Sequence, residues 1–348
     1  MGGSVIGWDV GGAHLKAARA EGGRIVDVIQ LPCPLWLGTE RLTEALAAAN
    51  ARLGPAERHA ATMTGELADV FPSRAEGVAA IAALLVEAVA PAPLRLYGGR
   101  AGFLHPDAAS AHASDIASAN WHASAALAAR FAADALFVDI GSTTTDIVPI
   151  TGGCVQAAGY TDAERLARGE LVYTGLTRSF LMALCARAPV AGAWTPLACE
   201  HFATSADVFR ILQELPEHAD QLPTADGRDK TLAASRARLA RMVGRDAADA
   251  TAAEWRDLAA WFAEAQLRLI ADGAMLVLSR SRLPEQAPVI GGGVGRHLAA
   301  RLAARLGRPF VGFAELIGAG PAASEWLGHC APAVAVALLE AYEGGDPA

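Results

Sequence analysis

Two short stretches, 130 positions apart, constrain this 348-residue chain more than anything else in it. Asp9-Val10-Gly11-Gly12-Ala13-His14-Leu15-Lys16 and Asp139-Ile140-Gly141-Ser142-Thr143-Thr144-Thr145-Asp146 follow one plan. In each, an apolar strand ends on aspartate, the chain turns on glycine, and a second strand begins. An offset of that size matches a domain, so the chain reads as a duplicated domain. The chemistry of the turns is equally specific. Without a Cβ, glycine lets backbone N–H groups approach a phosphate closely. Ser142, Thr143 and Thr144 add neutral hydroxyl donors, and a strand-terminal carboxylate holds Mg²⁺, usually through water.

The pattern around the first turn supports a layered α/β domain. Strands are expected over 4–10, 14–19, 24–31, 59–64 and 94–98, with amphipathic helices over 39–53 and 73–90 between them. Thr39 is the expected N-cap of the first helix; Ser73 caps the second, with Glu76 at the capping-box position. An alanine-rich helix over 115–133 leads into a strand over 135–140. The stretch 191–256 is polar, helix-rich and without a β run, as an insertion would be. Within it, Arg236, Arg238, Arg241 and Arg245 suggest the charged outer face of a helix. Helical spacing returns over 269–278. A short strand over 288–290 then feeds Gly291-Gly292-Gly293-Val294-Gly295, and a helix follows over 296–306. Glycines between strand and helix let a phosphate or nucleotide sit on a helix N-terminus. Their register differs from the dinucleotide-binding GxGxxG.

Composition limits the partners. Lys and Arg number 29 against 37 Asp and Glu, for a net charge of −8. That balance argues against nucleic acid, so an anionic ligand must be held by local devices. No apolar run of about 20 residues spans a membrane and no signal peptide is evident, so a cytoplasmic protein is expected. The five cysteines lack a CxxC pair and read as buried small hydrophobes.

Hairpin, second hairpin, then strand–GGGxG–helix is the order of the actin-like ATPase (ASKHA) superfamily, which includes the hexokinases, and the chain resembles it along nearly its whole length. The resemblance implies an α/β fold of two RNase H-like lobes around a central cleft. The first lobe would span 1–115 and the second 116–348, with a helical insertion at about 191–262 and a C-terminal helix packing back on the first lobe. Gly7-Trp8-Asp9-Val10-Gly11-Gly12-Ala13 with Lys16, Met63-Thr64-Gly65-Glu66-Leu67, Ala117-Ser118-Ala119-Asn120-Trp121 and Gly169-Glu170-Leu171-Val172-Tyr173-Thr174-Gly175 narrow it further. Together they resemble the hydantoinase/oxoprolinase-like branch, and within it the tetrahydromethanopterin-linked C1-transfer pathway proteins. That family contains the synthase of methanofuran and methylofuran biosynthesis, a transferase joining the phenol of γ-glutamyltyramine to an (aminomethylfuranyl)methyl diphosphate with release of pyrophosphate. His14 stands where relatives carry Asn.

On this reading Asp9, Asp139, Asp146 and Lys16 are the catalytic candidates, with Asp9 and Asp139 holding Mg²⁺. Gly11, Gly12, His14, Gly141, Ser142, Thr143, Thr144, Gly291, Gly292 and Gly293 are the phosphate-binding set. Glu66, Asn120, Glu170, Tyr173 and Lys230 are the substrate-binding candidates. The partners expected are a small-molecule diphosphate and a phenolic amine, and a homodimer is compatible with the sequence. The retained loops keep ATP or ADP open as ligands. Two rival readings therefore stand: an ATP-dependent kinase or hydantoinase/oxoprolinase-like amidohydrolase, and a non-catalytic actin-like nucleotide-binding protein.

Overall fold

The computed structural model describes residues 3–318 and 324–343, so the outermost residues of the two expected lobes, 1–2 and 344–348, lie outside it. The chain divides into two compact units. One holds the residues up to Asp134, Ile150–Val155 and the described residues from Gly312 onward; the other holds Ala135–Pro149 and Gln156–Val311.

In the first unit, β1 (Ser4–Val10), β2 (His14–Glu21), β3 (Arg24–Pro32), β4 (Arg58–Met63), β5 (Leu94–Tyr97) and β6 (Phe103–Leu104) form one sheet in the order β3-β2-β1-β4-β5-β6. Strands β1 to β3 are an antiparallel meander, while β4 runs parallel to β1 and β5 parallel to β4. β1 is buried on both faces, as a strand covered by helices on either side must be. Ile6, Trp8 and Val10 pack into a core with Leu42, Leu46, Val78, Ile81 and Leu85 of the helices Glu40–Leu53 and Arg74–Val89. The helix Ala331–Glu343 covers β1, β2 and β4, and its buried Glu340 is clamped by Arg58 and Arg95, each at 3.1 Å.

Ser73 accepts from the Glu76 N–H as expected, but Thr39 lies in the αR region and its side chain makes no cap hydrogen bond. The single helix expected over 115–133 is two, Ala113–Ile116 and Asn120–Ala129. Ser118, between them at φ +53°, breaks the run.

A titratable group is locked inside this core. Trp8 Nε1–H donates to His59 Nδ1 at 3.1 Å, so that nitrogen carries no proton. Burial, helped by the charge of Arg19, pulls His59 down from 6.5 to about 4. Between those values the unfolded chain binds a proton that the folded one refuses, so stability falls as the pH drops through that window. The loss from pH 7 to pH 5 is about 2 kcal/mol. Asn at this position keeps an acceptor and does not titrate. His59→Asn is therefore expected to flatten the dependence of the urea midpoint on pH; an unchanged slope contradicts the assignment.

The second unit is built around β7 (Ala135–Ile140), β8 (Thr145–Thr151), β10 (Leu171–Val172), β13 (Val289–Gly292) and β14 (Phe310–Gly312), in the order β10-β8-β7-β13-β14; the last residues of β8, with β9 (Cys154–Val155) paired to them, fall in the first unit. The 29-residue helix Ala252–Arg280 buries Trp255, Phe262, Ile270 and Val277 against this unit's core.

Two expectations for the polar stretch are corrected. β11 (Arg187–Val190) and β12 (Ala193–Pro196) form a hairpin at its start, turning on Ala191 and Gly192 at φ +50° and +79°. Arg238 is not on an outer face: it is fully buried, donating from Nη2 to Asp207 Oδ1 at 2.7 Å and pairing with Asp226 at 3.1 Å. The cysteines also divide. Cys33 and Cys330 are buried, Cys185 is half-buried, and Cys154 and Cys199 are exposed.

Candidate functional site

In the first unit, strand register lines up polar side chains. Asp9 lies opposite Lys16 on β2 and Thr62 on β4, and Lys16 lies opposite Gln30 on β3. Residues directly opposite share a face, so these four form one row across the sheet. Lys16 Nζ is 3.3 Å from Asp9 Oδ2, with the lysine side chain 21% exposed. Asp9 is buried, and its Oδ1 has no hydrogen-bond partner among the described residues; the same holds for Thr62 Oγ1. Burial raises the proton affinity of the Asp9 carboxyl, and the Lys16 ammonium and its hydrogen bond offset part of that rise.

The turn that follows is closed by Gly11 N–H donating to His14 O at 3.0 Å. The carbonyls of Gly12 and Ala13 accept from Leu35 and Cys33. His14 is buried, while Gly11 and Gly12 are half-buried. Beyond β4, Glu66 is buried and accepts from Ser118 Oγ at 2.9 Å, at the strained residue that breaks the helix. Asn120 spends its Oδ1 on the N–H of Trp121 at 2.8 Å.

The second unit repeats the plan with more support. Gly141 N–H closes the turn on Thr144 O at 2.9 Å, and residues 141–144 are half-buried. The carbonyls of Gly141 and Ser142 accept from the N–H groups of Leu176, Thr177 and Arg178. That segment lies flat against the turn because residue 175 is glycine; a Cβ there would stand 2.5 Å from Ser142 C and Thr143 N. Arg178 Nη1 is 3.4 Å from Thr143 Oγ1.

On the strand side, Gly295 N–H donates to Ile140 O at 2.8 Å. Gly293, at φ +77°, sits where a Cβ would overlap that carbonyl and Asp139 Oδ1. Asp139, buried at the end of β7 and opposite Gly292, therefore stands beside the glycine turn. Gly291 and Gly292 themselves lie within β13, with the Phe310 ring filling the space beside Gly291.

The remaining candidates lie in other settings. Asp146 is 2.9 Å from the buried Arg165, whose Nη2 also donates to Glu170 O. Glu170 is fully buried, accepting from the N–H groups of Ala158 and Gly159 and from Arg280 at 2.7 Å. Tyr173 is 68% exposed. Lys230 donates to the Asp220 carbonyl within the polar insertion, 3.5 Å from the Asp220 carboxylate that also holds Arg210. Among the described residues no group of three or more His, Cys, Asp and Glu is arranged to hold a metal. Mg²⁺ needs no such cage, since one or two carboxylates with waters and ligand phosphates suffice. The unpartnered Oδ1 of Asp9 fits that use.

A hydantoinase/oxoprolinase family model matches residues 57–324, most of the chain. The chain belongs to the hydantoinase/oxoprolinase family. Within the curated proteins, this family member is 33% identical over 243 residues to the Methanocaldococcus jannaschii protein named (4-{4-[2-(gamma-L-glutamylamino)ethyl]phenoxymethyl}furan-2-yl)methanamine synthase, covering 70% of this chain and 72% of that one. A Methanococcus vannielii protein of the same name is 38% identical over 93 residues, 27% of this chain and 41% of its own. Of the solved structures, a nucleotide-free acetone carboxylase, from work on ATP-dependent acetone carboxylation, aligns with a TM-score of 0.56 at 11% identity, over 96% of this chain and 70% of that one. That likeness and the two sheets show the actin-like ATPase fold, in agreement with the expectation from the three glycine turns.

Several residues in or near these turns are absent from the sequence-based set. Thr62 is visible only through its register with Asp9. Ser118 and Gly175 stand inside the quoted motifs, yet nothing local marks their contacts with Glu66 and Thr143. Arg178 follows Gly175 by three residues; an arginine just past a glycine-bounded motif was the available signal.

Proposed function

We propose that this chain is a synthase forming an aryl ether between a phenol and a furan-methyl carbon, with pyrophosphate as the leaving group. The observation that carries the reading is the 33% identity to the phenoxymethylfuran methanamine synthase over 72% of that protein. The phenol is that of γ-glutamyltyramine and the donor an (aminomethylfuranyl)methyl diphosphate. The phenol oxygen attacks the methylene carbon, the bond from that carbon to the diphosphate oxygen breaks, and its electron pair leaves with pyrophosphate. The phenol proton passes to a carboxylate.

Each unit, taken by itself, offers groups suited to that reaction. The second turn presents hydroxyls and backbone N–H groups to the leaving diphosphate. Asp9 in the first unit and Asp139 in the second are each a carboxylate that would hold Mg²⁺, which would supply neutralisation of the leaving group's charge. Lys16 adds a cation; close to a phenol of pKa about 10, an ammonium favours the phenolate.

A second reading has an observation behind it. The glycine turn at Gly293 and Gly295 is joined to the end of β7, and the acetone carboxylase of like fold is described as acting in an ATP-dependent reaction. The chain would then be an ATP-using enzyme. Incubation with Mg²⁺-ATP and measurement of phosphate release separates the two: the ether-forming reading expects no turnover above background, and robust release overturns it.

A further inference from the structure

We propose that Arg178 is the anion-gripping side chain of the second turn and binds the diphosphate of the donor. The inference rests on the reading of the chain as a diphosphate-using synthase and assigns that ligand a residue. Its grounds are the charge and construction of the turn.

The turn between Asp139 and Asp146 is polar but poorly suited to an anion by charge. Its own donors, Ser142, Thr143 and Thr144, are neutral, and a carboxylate stands at either end. Arg165 lies 2.9 Å from Asp146. The chain as a whole is acidic at −8, so no general field draws a phosphate in. Arg178 supplies a cation in contact with the turn, at Thr143 Oγ1, and the residue is solvent-exposed, so a ligand at the turn's open side meets it. A guanidinium presents its N–H donors as a planar fork that matches two phosphate oxygens at once.

Its backbone is fixed on two sides. On one, the N–H groups of Leu176, Thr177 and Arg178 donate to Gly141 O and Ser142 O at 2.9, 3.1 and 2.9 Å. A trans peptide points its C=O and N–H in opposite directions, so those bonds turn the Ser142 and Thr143 N–H groups away from the segment. On the other, Gly175 O accepts from Ser179 Oγ, Ser205 Oγ and Gln266 Nε2 at 3.0, 2.9 and 2.8 Å. Ser179 Oγ in turn accepts the Gly175 N–H at 2.8 Å and lies 2.8 Å from Thr174 Oγ1. Thr145 Oγ1, at the start of β8, donates to Thr174 O at 2.7 Å. Four buried polar side chains thus hold a six-residue segment whose exposed members are Tyr173 and Arg178, at its two ends. Holding a binding group in place beforehand reduces the ordering cost of gripping a ligand.

The test is calorimetric titration of wild type, Arg178→Gln and Arg178→Lys with Mg²⁺-pyrophosphate and, separately, with the imido analogue of ATP. Arg178→Gln is expected to weaken pyrophosphate at least tenfold. Arg178→Lys, which keeps the charge and loses the fork, should weaken it two- to fivefold, and it decides the matter if the Gln variant lacks the wild-type melting transition. Unchanged affinity of the variants for both ligands overturns the role of Arg178 and leaves the synthase reading standing. Wild type that binds the ATP analogue, loses that affinity in Arg178→Gln and ignores pyrophosphate overturns the diphosphate donor and the proposal as stated. Wild type that binds neither ligand overturns both.

Discussion

Asp139→Asn is expected to cut pyrophosphate release by three orders of magnitude or more, with the circular dichroism spectrum and melting transition unchanged. The side chain is buried at the end of β7, beside the positive-φ glycine of the strand–helix turn and one residue before the carbonyl that accepts from Gly295. Asn fills the same volume and removes the negative charge, so the change isolates electrostatics from packing. Losing a charged group that acts on a leaving group costs about 10²–10⁴ in rate, and loss of a metal carboxylate lies at the upper end. Turnover by Asp139→Asn within tenfold of wild type removes Asp139 from the reaction.

Gly293→Ala is the second large effect, and it acts through shape. Two costs add at this position. A φ of +77° is disfavoured for alanine by about 1–2 kcal/mol. The new methyl also overlaps Ile140 O and Asp139 Oδ1, and overpacking of that kind adds roughly 1–3 kcal/mol. A loss of about 3 kcal/mol in stability is expected, with activity down at least a hundredfold because the intruding atom displaces the Asp139 carboxylate. Gly244→Ala provides the comparison: its φ is +67°, but a Cβ there meets nothing within 4 Å. It should cost about 1 kcal/mol and leave turnover unaltered. Equal unfolding midpoints for the two variants refute the overlap argument.

Much of the frame was legible because local rules govern it. Strand, glycine turn and strand recur wherever an apolar β run ends on Asp9 or Asp139, and both hairpin turns form as expected, closed at Gly11 and Gly141. The Ser73 cap follows from a serine three residues before a glutamate. What escaped the sequence is tertiary. Arg238 looks like the outer face of a helix until Asp207, 31 residues earlier, arrives beside it. The β11–β12 hairpin hides because alanine, not Asn or Asp, precedes Gly192 in its positive-φ turn, and because its strands hold two prolines. The helix over 115–133 reads as continuous because a serine carries the break at 118. The motifs located Asp9 and Asp139 near strand ends beside glycine turns, as the structure has them. They could not separate Gly291, whose neighbour is the Phe310 ring, from Gly293, whose neighbour is a carboxylate. Nor could they show that Glu170 is spent on two backbone amides and Arg280.

The central claim is that the chain joins a phenol to a furan-methyl carbon with loss of pyrophosphate. The most direct measurement incubates the protein with Mg²⁺, γ-glutamyltyramine and the (aminomethylfuranyl)methyl diphosphate, and quantifies the aryl ether by mass spectrometry alongside released pyrophosphate. The account predicts the two in equal amounts, both dependent on the phenol. Pyrophosphate released with no ether formed, or consumption of neither substrate by protein that turns over ATP, would contradict it.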